Sequence, residues 1–314
     1  MEVQAGGAAV RMFAGADRGV LLYAVNPPRA GVTPERADEI AGVLSRRLAP
    51  VELDGLVLYD TDAEADRSAG ERPFPFLPTM DPAVFLRRHL SAWPGPVVVY
   101  RAVAKYEPGD VSAWLDGADP DRVATVLVGA ASRDQVVRTR LDDAYALHAA
   151  GDARVALGGV LIAERHAGRG DEHERMLRKQ ASGCSFFVSQ VCYDLDHTRN
   201  LLSDYAYACR ERGVSPCPVV LTLAPCGSVR TLEFMTWLGI EVPRWIRNEI
   251  VFSADPLGES YEQCVAGARV LIAFCRRLGL PFGISVESLT NRKVEIEASV
   301  ELAREVRGLL AGRD

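Results

Sequence analysis

The sequence predicts an α/β chain folded as a single (β/α)8 TIM barrel across residues 1–314, and three observations carry the prediction. Eight short apolar runs alternate with stretches of helical periodicity. Several helical stretches stop at a glycine, where a left-handed C-cap is needed. The first turn after a strand, NPPRAG, lacks the G-x-G-x-x-G phosphate loop expected of the main alternative, a doubly wound open sheet.

Strands buried on both faces read as continuous apolar runs. GVLLYAV (19–25) and GLVLYD (55–60) are such runs, and PERADEIAGVLSRRL (34–48) between them has helical spacing, which makes one βαβ unit. Six more strands follow at 96–103, 123–130, 154–162, 184–193, 218–224 and 280–288. Helices are expected at 81–93, 110–117, 141–151, 171–183, 194–213, 228–239, 261–279 and 293–310, with Gly213, Gly239 and Gly279 as caps. No internal repeat or low-complexity linker offers a domain boundary.

Composition sets further bounds. With 48% hydrophobic and 25% charged residues, the chain has the makeup of a folded protein with a sizeable core. A formal charge of −6 argues against nucleic acid as a general partner, which needs a concentrated basic face. No run approaches the roughly 18 to 20 apolar residues that span a bilayer, and the N-terminus has no leader pattern, so the expectation is a cytoplasmic protein without membrane contact. The sequence leaves open whether copies assemble as a homo-oligomer. All 7 cysteines lie in the second half with no CxxC pair, as expected of buried thiols. A zinc site on Cys217 and Cys226 is the alternative, but the spacing fits no usual template, and no metal is expected.

In a barrel the reacting groups sit on the segments after the strands, because side chains pack the interior. The longest such segment, 60–81, is rich in acidic residues and holds Pro73, Pro75 and Pro78. A long loop in a compact domain with its freedom cut by prolines is expected to wall a pocket, against the plainer alternative of a solvated acidic excursion.

Five stretches, in order along the chain, carry a resemblance. They are NPPR (26–29), AEADRS (63–68), the run from Gly158 to Asp194, MTWLGIEVPRWI (235–246) and TNR (290–292). Together they resemble the methylenetetrahydrofolate reductases, with Arg178, Lys179, Gly183 and Gln190 on matching positions. The resemblance implies a barrel that transfers a hydride from NAD(P)H to 5,10-methylenetetrahydrofolate, giving 5-methyltetrahydrofolate. The partner it implies is thus a tetrahydrofolate-type small molecule. It also implies that Gln190 hydrogen-bonds the pterin, a task that suits an amide with donor and acceptor in one plane. The alternative for Gln190 is a barrel amide satisfied by backbone.

Two departures from the family pattern stand out. The family's acid, a glutamate three residues before the first proline of the PPR motif, is Ala24 here. The flavin-facing aspartate after the fourth strand is replaced by Ala131 or Ser132, and two further flavin contacts fall on Gly159 and Ala163. These losses resemble the flavin-free branch of mycobacteria and relatives, in which ERPFPFLP (71–78) also has a counterpart, so FAD is disfavoured as a cofactor. The early glutamate is present even in that branch.

The replacement acid is therefore sought at strand ends, among Asp60, Glu71 and Glu287. Glu287 is the first choice, because a carboxyl at a barrel mouth loses solvation and holds its proton to higher pH. The alternative for Glu287 is an ion pair with Arg292 or Lys293. Tyr59 and Arg292 complete the expected substrate contacts. Gly129, Gly159, Arg178 and Lys179 are the expected cofactor-binding positions, the basic pair holding FAD phosphates if the chain is a flavoprotein after all. His166 is read as a solvated loop histidine, with phosphate binding or proton donation as its alternative. A third reading is a folate-binding or repurposed barrel that lost reductase activity with Ala24.

Overall fold

Runs that are apolar on both faces need cover on both sides, and closing the sheet fills one side with its own side chains and leaves the other to helices. The computed structural model describes residues 7, 12–13, 18–62, 70–130, 135–151 and 155–312. The strands are β1 (Val20–Val25), β2 (Gly55–Leu58), β3 (Val97–Ala102), β4 (Val123–Val128), β5 (Ala156–Leu161), β6 (Cys184–Val191), β7 (Val219–Leu223) and β8 (Phe282–Glu287). They pair parallel in chain order, and β8 returns to β1 to close the barrel.

The helices are α1 (Pro34–Leu48), α2 (Pro82–His89), α3 (Pro108–Gly117), α4 (Leu141–Ala150), α5 (Ala163–Arg169), α6 (Glu172–Ala181), α7 (Leu195–Glu211), α8 (Val229–Trp237), α9 (Arg244–Phe252), α10 (Pro256–Leu278) and α11 (Lys293–Leu310). Thr33, Asp81, Asp194, Ser228 and Asp255 each accept a backbone N–H from the first turn of the helix they precede. Gly279 ends α10 at φ 67°, the left-handed cap expected of a glycine there.

Alternation along the strands splits the apolar residues into two layers. Val20, Leu22, Ala24, Val57, Val98, Tyr100, Ala124, Val126, Phe186, Val188 and Val220 fill the lumen. The residues between them, such as Leu21, Tyr23, Leu56, Leu58, Val97 and Val99, pack under the helices. Tyr23 also bonds Ser299 of α11 at 2.7 Å, which gives its buried hydroxyl a partner.

Two helices were not expected from the sequence. α5 has only 7 residues, too few for periodicity to register, and Gly170 stops it in the left-handed conformation. α9 buries only Ile246 and Ile250, one turn apart, after Pro243. α10 begins five residues earlier than read, where Asp255 caps it and Pro256 takes the first position. Among the described residues no helix is long and apolar enough to cross a membrane.

The lumen is closely filled at β5. A Cβ on Gly158 would lie 2.4 Å from the ring of Phe186, which is wholly buried. Gly158→Ala should therefore destabilise the barrel by about 1–3 kcal/mol, as overpacking does, read as a lower urea midpoint. An unchanged midpoint would mean that the Phe186 ring has room to yield.

Candidate functional site

Parallel strands all end on one rim, so residues far apart in sequence meet there. β8 delivers Glu287 as its last residue, in register with Ala24 of β1. Ala24 faces the lumen with Tyr100, and Tyr59 packs against the same cluster. Glu287 is only 8% exposed, and the Tyr59 side chain lies close to its carboxyl. The Tyr59 ring meets Tyr100 edge-on, with centroids 4.9 Å apart.

The ion-pair alternative for Glu287 is corrected by the geometry. Arg292 bonds Glu295 at 3.0 Å, and Lys293 faces Glu297 at 3.6 Å. Burial pushes the Glu287 carboxyl up from 4.5 to about 7, and the nearby Tyr59 hydroxyl pulls weakly the other way. An acid that is partly protonated near neutral pH suits proton donation. Burial, with the Glu287 charge next, holds the Tyr59 phenol well above its ordinary range, so this hydroxyl remains a donor.

Gln190 stands near the end of β6, half-buried, with Nε2 donating to the Leu238 carbonyl at 2.8 Å. Half of the backbone-satisfied alternative is thus realised, while Oε1 accepts no hydrogen bond among the described residues. Sequence reasoning missed Glu164, in the first turn of α5, which receives the Glu241 N–H at 3.4 Å. Burial raises its carboxyl above the ordinary range. Its one sequence signal was an acidic residue directly after the fifth strand.

Several expected site residues sit elsewhere. Asp60 accepts from the Ala102 N–H at 2.8 Å, Lys105 Nζ at 2.5 Å and the Tyr106 hydroxyl at 3.0 Å, so it braces the β2–β3 corner. Glu71 is exposed to solvent. Arg292 is tied through Glu295 to α11. Gly129 follows β4, half-buried against Leu141.

Of the expected cofactor positions, Gly159 lies on β5, and Arg178 and Lys179 lie on α6. α6 runs from the rim back toward the start of β6, so its last turn carries Arg178 and Lys179 away from the strand ends. Arg178 is exposed, and Lys179 donates to the Val160 carbonyl inside the wall. A Cβ on Gly159 would meet Phe187 at 3.0 Å and Lys179 Cδ at 3.2 Å, so that position is closed by packing. Ala131, Ser132 and the stretch 63–68 lie outside the described residues.

The end of the proline-rich segment is tied down on two sides. Trp237 Nε1 donates to the Gly70 carbonyl at 3.1 Å, and Arg230 Nε to the Pro73 carbonyl at 3.0 Å. Phe74 meets Phe234 edge-on at 5.4 Å. On the other side Ala30 donates to the Pro78 carbonyl at 2.8 Å and Met80 to that of Pro28 at 2.7 Å. Residues 70–80 therefore form a strap tied both to the NPPR turn and to α8.

The cysteines are free thiols, all buried except the half-buried Cys217. Cys217 Sγ points to the Cys184 carbonyl at 3.5 Å and Cys226 Sγ to that of Ser228 at 3.4 Å, which does not support a shared zinc. His166 is not a solvated loop residue, because it lies on α5 at 6% exposure and pairs with Asp204 at 3.0 Å.

No protein-family model and no curated protein matches the chain. Among solved structures it is similar to a protein of Clostridium thermocellum that binds two copies of 5-methyl-5,6,7,8-tetrahydrofolic acid, with a TM-score of 0.83 and 33% identity, over 96% of this chain and 99% of that one. A 2,3-dimethylmalate lyase matches at TM-score 0.49 and 10% identity, over 90% of this chain and 80% of that one. Dihydropteroate synthase from Thermus thermophilus matches at TM-score 0.45 and 17% identity, over 95% of this chain and 94% of that one.

The raised Glu287 carboxyl makes stability depend on pH. The folded chain holds this proton up to about 7, against 4.5 for the free group, so the contribution is full below 4.5 and is lost as pH rises toward 7. Glu287→Gln should therefore gain stability over the wild type at pH 8 relative to pH 5, by up to about 3 kcal/mol in urea unfolding. An equal offset at both pH values would show that Glu287 is not desolvated.

Proposed function

From the premise that this chain belongs to the same family as the clostridial methyltetrahydrofolate-binding protein, we propose that it binds a reduced folate at the rim of its barrel and reduces it in the manner of a methylenetetrahydrofolate reductase. One observation carries the reading. The acid that the reductase pattern places on β1 is absent at Ala24, and a desolvated carboxyl, Glu287, stands beside it in register on β8. Neighbouring strands lie about 4.8 Å apart, within the reach of a glutamate side chain, so the β8 carboxyl serves the same region of the rim.

The chemistry then follows from the residues. The Gln190 amide offers donor and acceptor to the pterin edge. Glu287, in its acid form, gives its proton to N10 of 5,10-methylenetetrahydrofolate as the bond from N10 to the bridging carbon breaks, leaving an iminium at N5. Tyr59 stands beside the resulting carboxylate, and solvent restores the proton. A reduced nicotinamide, NADH or NADPH, is the hydride source that turns the iminium carbon into the N5 methyl group. No step passes through a flavin.

A second reading is favoured by Ala24 and by the clostridial protein's ligand, which is already the methylated form. In that reading the barrel binds reduced folate and does not turn it over. NADH and NADPH oxidation with methylenetetrahydrofolate, run beside calorimetric folate binding, separates the two.

In the reductase reading Glu287→Gln slows turnover by roughly 100-fold or more with folate affinity kept, as expected when a general acid is lost. A wild type that binds folate and oxidises neither nucleotide establishes the second reading. An active wild type indifferent to Glu287→Gln moves the acid to another carboxyl, Glu164 first. In either reading Gln190→Ala should weaken folate binding by about 1–3 kcal/mol by calorimetry, since it leaves pterin groups unpaired. Unchanged affinity would make Gln190 only the clasp of Leu238.

A further inference from the structure

Outside the barrel wall, three helices bring nitrogen and oxygen ligands together. His166 comes from α5, His173 from the first turn of α6 and Asp204 from α7, and one ligand atom of each lies within 4.8 Å of the others. His166 Nε2 is 3.0 Å from Asp204 Oδ2. The two imidazole rings meet edge to face at 87°, with centroids 5.3 Å apart.

The cluster is incomplete as a hydrogen-bonded group. A neutral imidazole has one donor and one acceptor nitrogen, and buried ring nitrogens nearly always find partners. Here Nδ1 of His166 and Nδ1 of His173 are both buried without one. A His–Asp ion pair at a helix junction accounts for the contact at Asp204 but leaves both of these nitrogens unexplained.

We infer that His166, His173 and Asp204 form a binding site for a divalent transition metal, zinc being the best match. Two imidazole nitrogens and one carboxylate oxygen, with water in the fourth position, make an ordinary tetrahedral zinc set. Ligand atoms around such an ion stand about 3.4 Å apart, so the cluster needs only small side-chain rotations to close. Asp204, with its side chain 54% exposed, has the freedom to make them and gives the ion a way in from solvent. Glu174 Oε1, which accepts from Arg212, lies 3.6 Å from His173 Nε2 and keeps a carboxylate close to that ring. A bound ion would staple α5, α6 and α7 together behind β5 and β6.

The test uses the untagged full chain, stripped with chelator and titrated with zinc chloride by calorimetry, with metal content read after gel filtration. One zinc per chain is expected. His173→Ala leaves the His166–Asp204 pair in place, and Asp204→Asn is a conservative change at an exposed position. Each should weaken binding by more than the about 10–100-fold typical of losing an outer-shell partner. Zinc should raise the melting temperature of the wild type and not of the variants. Cobalt(II) loading should give a d–d spectrum without a thiolate charge-transfer band, which excludes the cysteines as ligands. A wild type that retains no zinc overturns the inference, as does uptake unchanged in Asp204→Asn and His173→Ala, or a cobalt spectrum with sulfur ligation.

Discussion

β8 has to hydrogen-bond β1, and the character of the rim depends on that closure. An open sheet would leave Ala24 and Glu287 at opposite edges; the closed ladder makes them partners. Closure also creates the lumen, whose Tyr59 and Tyr100 rings remove water from Glu287. A carboxyl in that setting keeps its proton where an exposed one would lose it. The same strand pairing thus places the group and sets its chemistry.

Around this acid the rim is built from unequal parts. On the side of the NPPR turn, the strap over residues 70–80 is fixed by backbone hydrogen bonds to Ala30 and Pro28. At its other attachment it leans on side chains: Arg72 stacks over Phe76, Phe234 and Trp237 at 5.0 to 5.4 Å, and Arg230 over Phe74 at 4.7 Å. Cation–π contacts of this kind keep a loop in place while tolerating small shifts in register. The Gln190 side faces Leu238 at the end of α8, so the helix that holds the strap also touches the residue assigned to the pterin.

The strands were legible in the sequence because each is apolar on both faces, a signal that needs no tertiary context. α5 and α9 were not, because one is too short to show a period and the other buries only one pair of residues. For the site, Glu287 was visible as a carboxylate at a strand end, with an ion pair to Arg292 or Lys293 as the alternative. Arg292 and Lys293 are near in sequence, whereas Tyr59 comes from far along the chain and stands beside Glu287 in the lumen. Asp60 was a further candidate at a strand end, and its three donors lie on the β3 side and hold it at a corner. Arg178 and Lys179 matched a linear motif, but the helix that carries them runs away from the rim. His166, His173 and Asp204 were hidden for a further reason, since their meeting depends on how three helices pack, which no local pattern records.

In the proposed reading, an acid on β8 in place of one on β1 has a geometric consequence for whatever occupies the rim. In an eight-stranded barrel one strand is about 45° around the axis, so an acid on β8 approaches its target from a direction rotated by that amount from one on β1. In that reading, angular position around the rim and identity of the acid are coupled: a compound shaped for a β1 acid would meet Glu287 from a rotated direction.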